Sequence, residues 1–216
     1  KSGPVVFFGN EFFDAIPIKQ FKNEKGMFFE KHYMLDKDNK VQEFFRKAKK
    51  NDVKNIKSYK SLKNLKFIEF PKCGFEELQK IIKKISEAKG CLLIIDYGYL
   101  KPENRNTLQS VFKHKKNHLL KNLGKADITS NVNFKLLCEF FLKNNFKVEK
   151  ILPQHKFLKN MGIIERAKIL GRKMKFSDQS NMYLRLKRLL SSNQMGELFK
   201  VALAYKPKSN KFFGFN

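Results

Sequence analysis

Acidic side chains are scarce in this chain, 20 Asp and Glu against 46 Lys and Arg, so the places where carboxylates gather beside amide and aromatic groups carry information. The first is Asn10-Glu11-Phe12-Phe13-Asp14. It follows an apolar run, residues 4–8, that reads as a buried strand ending abruptly. In open α/β sheets the ligand crevice lies outside the carboxyl ends of the strands, so Asn10, Glu11 and Asp14 are expected to face a small molecule there. The second place is Asp96, which closes the run Cys91-Leu92-Leu93-Ile94-Ile95 and is followed by Tyr97 and Tyr99. Glu11, Asp14 and Asp96, with Tyr97 and Tyr99, are thus the residues whose types could carry chemistry. Each also has a plain structural reading. Asp14 can cap a turn, Asp96 can fix the loop before Tyr97, and Phe12 and Phe13 can be core residues.

Other reactive residues carry less. His114 and His118 have the i, i+4 spacing of a helical metal pair, but no carboxylate stands near them and Lys115, Lys116 and Lys121 would repel a cation. Cys73, Cys91 and Cys138 are odd in number and far apart, which excludes a disulfide framework and zinc spacing and fits a reducing compartment. The formal charge of +26 comes almost wholly from Lys, in a chain crowded with Asn, Ile and Phe. All four have AT-rich codons, so base composition explains the charge without an anionic partner. Scarcity of Arg, the residue of bidentate phosphate and base contacts, argues against nucleic-acid binding. No apolar stretch approaches the length of a membrane span, and the opening residues Lys1-Ser2-Gly3-Pro4 are no signal peptide. No Gly-x-Gly-x-x-Gly loop occurs.

The elements that must position these groups follow from periodicity. Strands are expected at 16–22 and 27–35 around the loop Asn23-Glu24-Lys25-Gly26, then at 41–45 and 65–70, an antiparallel insertion spanning 16–70. Residues 51–64 read as a Lys-rich loop or frayed helix. Phe75, Leu78, Ile81, Ile82 and Ile85 fall at helical spacing, with Gly90 closing a helix over 75–89. Residues 91–96 then read as a central parallel strand. Downstream, a short element is expected at 107–113 and helix caps at Asp127 and Thr129. Helices follow at 132–142, 157–170 and 182–190, with strands at 146–152 and 198–205. Helix alternating with buried strand is an α/β signal. The order fits the second half of a Rossmann-like sheet with a β-meander insertion in one domain, so a glycine-rich half is expected upstream.

The segment Asn10-Glu11-Phe12-Phe13-Asp14-Ala15-Ile16-Pro17 resembles the Asn-Glu-Phe-Phe-Asp-Ala-Leu-Pro signature of the MidA-like family of S-adenosylmethionine-dependent methyltransferases. Ile95-Asp96-Tyr97-Gly98-Tyr99 is similar to that family's Ile-Asp-Tyr-Gly-Tyr strand end, and Asn106-Thr107-Leu108-Gln109 with His114 to its Asp-Thr-Leu-Gln and following His. Ala126 to Phe134 resembles Ala-Asp-Leu-Thr-Ala-His-Val-Asp-Phe, with Asn131 and Asn133 replacing a His and an Asp. Gln154, Phe157-Leu158 and Gly162-Ile163 with Arg166 match a further pattern, as does the closing Met195-Gly196-Glu197-Leu198-Phe199-Lys200-Val201. Departures at Asn106, Asn131 and Asn133 carry over no acid or base role.

The resemblance implies a class I methyltransferase fold, S-adenosylmethionine as cofactor, and transfer to arginine of a protein partner, as in the family's mitochondrial complex I assembly members. On that reading Glu11 and Asp14 are catalytic, Asp96, Tyr97 and Tyr99 bind substrate and Asn10 touches the cofactor. A guanidinium is protonated at neutral pH and a poor nucleophile, so carboxylates must hold it and take a proton. The family occurs in bacterial cytoplasm and in mitochondria. The rival is a non-catalytic binding or assembly module, which the missing glycine loop would suit.

Overall fold

The computed structural model describes residues 4–38, 40–206 and 214–215. β1 (Val6–Asn10), β2 (Lys19–Glu24), β3 (Met27–Leu35) and β4 (Val41–Lys47) precede α1 (Lys50–Lys57), a 3-10 turn (Lys60–Leu62), β5 (Phe67–Phe70), α2 (Lys72–Ala88) and β6 (Cys91–Tyr99). Next come β7 (Gln109–Phe112), β8 (Lys115–Asn117), β9 (Asp127–Thr129), β10 (Val132–Asn133), α3 (Phe134–Lys143), β11 (Lys147–Val148) and β12 (Leu152–Pro153). α4 (Gln154–Asn160), α5 (Ile163–Gly171), α6 (Phe176–Leu190), α7 (Met195–Leu198) and β13 (Phe199–Tyr205) complete the chain. Contacts divide it into two compact units. No helix among the described residues is long and apolar enough to cross a membrane.

The first unit holds residues 1–11, 83–99 and 141–216. β1 lies parallel to β6, Val6 opposite Cys91 and Asn10 opposite Ile95, and β6 lies antiparallel to β13. All of β13 is buried. β11 and β12 both pair with β13. Val148 faces Ala204 and Leu152 faces Val201, four steps against three, so one extra residue makes a bulge. That bulge divides the strand expected at 146–152. Gly90 leads into β6 so close to β1 that a Cβ there would lie 1.9 Å from the Val5 carbonyl oxygen. The run 4–8 was expected to be buried, yet Val6 is 65 % and Phe8 61 % exposed. β1 is an edge strand among the described residues and buries only Gly9 and part of Phe7.

The second unit holds residues 12–82 and 100–140. A four-stranded antiparallel sheet, ordered β4-β3-β2-β5, is followed by a three-stranded one ordered β8-β7-β9. The core is aromatic, with Phe75 stacked on Phe140 at 4.5 Å and against Phe70 edge-on. Of the loop or frayed helix read at 51–64, the structure takes the helix at its start, as α1. Its buried residues are Ile56 and Asp52, the latter held by Lys19 at 2.9 Å and Lys72 at 3.0 Å. Two other expectations change. Residues 127–129 form a strand instead of caps, and Asn133 caps α3 by accepting from the Leu136 N–H at 3.0 Å. The helix expected at 157–170 breaks at Gly162, whose φ of +78° ends one helical path and opens another. The basic tail lies mainly outside the described residues.

Candidate active site

Parallel pairing sends β1 and β6 in one direction, so both carboxyl ends open on the same edge of the sheet. Asn10 and Glu11 occupy that end of β1, both exposed, and Ile95-Asp96 lies beside them in β6. The pairing extends one residue beyond the strand, because the Glu11 N–H donates to the Ile95 carbonyl at 3.0 Å. Glu11 itself has φ +47°, in the left-handed region that a residue with a side chain enters at a cost of about 1–2 kcal/mol. Such geometry turns the chain sharply and leaves the carboxylate in solvent at the strand tip. Strained backbone of this kind concentrates at functional sites.

Asp96 has a different setting. It is 0 % exposed, and its Oδ1 accepts from the Tyr97 N–H at 2.9 Å. Directly across the antiparallel pair stands Lys200, itself buried, whose ammonium donates to the Glu197 carbonyl and to Glu197 Oε1 at 3.3 Å. Cross-strand residues share a face, so Asp96 and Lys200 put opposite charges on one side of the sheet. Sequence reading assigned Lys200 no role. Its signal was a lone lysine inside the apolar run Phe199-Lys200-Val201-Ala202. Tyr97 is half-buried and meets Phe199 edge-to-face at 5.6 Å, packed on the cluster of Ile95, Leu152, Phe157, Phe199 and Val201. Tyr99 ends β6, also half-buried.

Asp14 belongs to the second unit. It is 6 % exposed, and its carbonyl accepts from the Ser130 N–H at 2.8 Å, which ties the Asn10-to-Pro17 motif to the Ala126-to-Phe134 motif. A buried network in this unit also escaped sequence reading. Glu69 of β5 accepts from the Thr107 N–H at 2.9 Å, the Thr107 hydroxyl at 2.5 Å and Gln20 Nε2 at 2.8 Å. An acid inside Phe67-Ile68-Glu69-Phe70 was its signal. Thr129 does not cap a helix; its Oγ1 accepts from Gln109 Nε2 at 3.3 Å across β7 and β9. His114 sits in the β7–β8 turn with φ +60° and His118 just beyond β8, so they share no helix face. Among the described residues no His, Cys, Asp and Glu cluster could hold a metal.

A parallel strand pair extended by an antiparallel strand, with polar groups at its carboxyl edge, defines a Rossmann-like α/β fold of the methyltransferase class. A crystal structure from Burkholderia thailandensis bound to S-adenosyl-homocysteine shares it, with a TM-score of 0.80 at 20% identity, covering 100% of this chain and 57% of that one. Residues 1–152 match the family model described as "Putative S-adenosyl-L-methionine-dependent methyltransferase", and the chain belongs to that family, as its MidA-like motifs implied. Among curated relatives, the mitochondrial protein arginine methyltransferase NDUFAF7 homolog of Caenorhabditis elegans is 28% identical over 213 residues, covering 97% of this chain and 49% of the relative. The mitochondrial protein arginine methyltransferase NDUFAF7 of Xenopus tropicalis is 28% identical over 202 residues, covering 92% and 46%. The chain therefore spans about half the length of the curated relatives it matches.

S-adenosylmethionine is the cofactor of this family. The strand tips fit one end of it. An exposed carboxylate at Glu11 and an exposed carboxamide at Asn10 suit its cationic sulfonium and amino-acid group. The glycine loop that cradles a nucleoside cofactor in such sheets has no counterpart in this sequence.

Proposed function

We propose that this chain forms part of a methyltransferase acting on arginine side chains of a protein partner, with Glu11 as the carboxylate that holds the acceptor. The exposed Glu11 side chain, held at the tip of β1 by a left-handed backbone, carries the reading. When bound, S-adenosylmethionine supplies an electrophilic methyl group on sulfur. Glu11 would attract the guanidinium, orient one nitrogen and accept the proton that nitrogen loses as its N–C bond forms and the sulfur–methyl bond breaks, with S-adenosyl-homocysteine leaving. Asn10 fixes the cofactor by hydrogen bonds from its amide. Asp96, buried opposite Lys200, holds the backbone at Tyr97 and places the tyrosines that follow, while Asp14 enters as a second catalytic carboxylate on its motif. The names of the relatives support arginine as acceptor.

The test supplies tritiated-methyl S-adenosylmethionine and the peptides Gly-Gly-Arg-Gly-Gly and Gly-Gly-Lys-Gly-Gly. Label should enter the arginine peptide alone and be lost in Glu11→Gln and Asp14→Asn with circular dichroism unchanged. Label on lysine, or full transfer by Glu11→Gln, would overturn the reading. A binding and assembly module is the second reading, which folded protein that neither binds S-adenosyl-homocysteine nor transfers label would support.

A further inference from the structure

The second unit contains a polar cavity of about 540 Å³ that the methyl-transfer reading does not use. Thr107, Ser110, Asn117 and Asn131 line it, as do Lys116 and His118, both exposed. Its framework is fixed from behind. Besides its bonds to Glu69, Thr107 Oγ1 accepts from the Asn131 N–H at 3.0 Å, and Gln20 Nε2 donates to Asn106 Oδ1 at 2.8 Å. Ser110, 1 % exposed, accepts from Asn117 Nδ2 at 3.1 Å. Walls locked in this way lose little entropy when a ligand enters.

The charges select the ligand. No carboxylate lines the cavity, whereas Arg105, Lys116 and His118 all do. Arg105 is engaged by Glu103 at 2.5 Å, so Lys116 and His118 present the principal donors. His118 Nδ1 accepts from the Leu120 N–H at 3.3 Å, which leaves Nε2 as the ring's donor. An arginine side chain would be repelled here. Carboxamide walls offer donors and acceptors together, matching the C=O and N–H of a peptide backbone. A second cavity of about 280 Å³ shares Asn106, His118 and Leu119 and adds Lys31 and Glu43, an ion pair at 2.7 Å that leaves no net charge between them, so the surface continues beyond a single side chain.

We infer that this cavity docks an acidic peptide segment of the protein substrate, a proposal that rests on the methyltransferase reading only for calling that protein a substrate. Lys116 and His118 bind its carboxylates, and the carboxamide walls bind its backbone. The experiment is fluorescence anisotropy with a fluorescein-labelled, amide-capped Gly-Asp-Glu-Asp-Glu-Gly at physiological salt without cofactor, so a failure of methyl transfer leaves it untouched. Lys116→Ala with His118→Ala should weaken binding about tenfold or more, the loss of two charge-assisted contacts. Lys83→Ala with Lys84→Ala, exposed on α2, should change it less than about twofold. The Gly-Asn-Gln-Asn-Gln-Gly peptide should bind at least about tenfold more weakly than the acidic one. Equal losses in the two double variants would overturn the proposal by showing general attraction to a basic surface. Inorganic phosphate binding as tightly as the peptide, or no peptide binding by folded protein, would overturn it as well.

Discussion

Glu11 separates stability from function because one residue bears both a backbone strain and a carboxylate. At φ +47° its left-handed conformation costs about 1–2 kcal/mol relative to a relaxed backbone. Glycine removes that cost but adds about 0.5–1 kcal/mol of chain entropy, so Glu11→Gly should be neutral or more stable by up to about 1.5 kcal/mol. Valine is branched at Cβ and disfavours this region further, so Glu11→Val should fall about 2 kcal/mol below the glycine variant. At 216 residues that gap corresponds to about 4–8 °C in melting temperature, read by circular dichroism. Both variants lack the carboxylate and should lose methyl transfer, whereas Glu11→Asp retains part of it. Identical melting temperatures for the glycine and valine variants would refute the strain. A glycine variant with full turnover would refute the chemistry.

Burial alone would raise the Asp52 carboxyl pKa, but hydrogen bonds from Lys19 and Lys72 outweigh burial and hold it below its ordinary value. Its contribution to stability is therefore present above the unfolded pKa of about 4 and lost as pH falls through the folded value. Asp52→Asn should flatten the fall in urea midpoint on acidification, and an unchanged slope would count against the cluster. Burial pushes the Cys138 thiol up to about 11 and raises Cys91 as well, while Cys73 is exposed. Ellman's reagent should find one fast thiol in native protein, abolished by Cys73→Ser; a fast phase surviving that change would contradict the burial of the other two. Gly90→Ala puts a methyl group into the Val5 carbonyl and should cost about 2 kcal/mol or more by chemical denaturation, with wild-type stability sinking the β1–β6 register at that end.

Much of the fold was legible because β6 and β13 are continuous apolar runs and α2, the longest helix among the described residues, repeats its apolar side chains every three to four residues. In the second unit, residues 27–35 matched β3 at both ends. Misreadings had local physical causes. Val5-Val6-Phe7-Phe8 has the composition of a strand covered on both faces, but composition does not reveal that β1 lies at an edge among the described residues. Asp52 looked like one exposed acid in a lysine-rich loop or frayed helix, since the two lysines that pair with it are 33 and 20 positions away. The bulge between β11 and β12 depends on register with β13, which no local pattern encodes. At the site, motif and strand end pointed to Asn10, Glu11 and Asp96, which pairing of β1 with β6 brings side by side. Burial of Asp96 and the facing Lys200 were invisible until the antiparallel register was known.

The most direct test is nuclear magnetic resonance of the 15N-labelled chain titrated with S-adenosyl-homocysteine to millimolar concentration, where even weak binding registers. The account predicts amide shift changes centred on Asn10 and Glu11 and on Asp96 to Tyr99. Changes confined to other segments, or none in folded protein, would contradict the placement of the methyl-transfer site at the tips of β1 and β6.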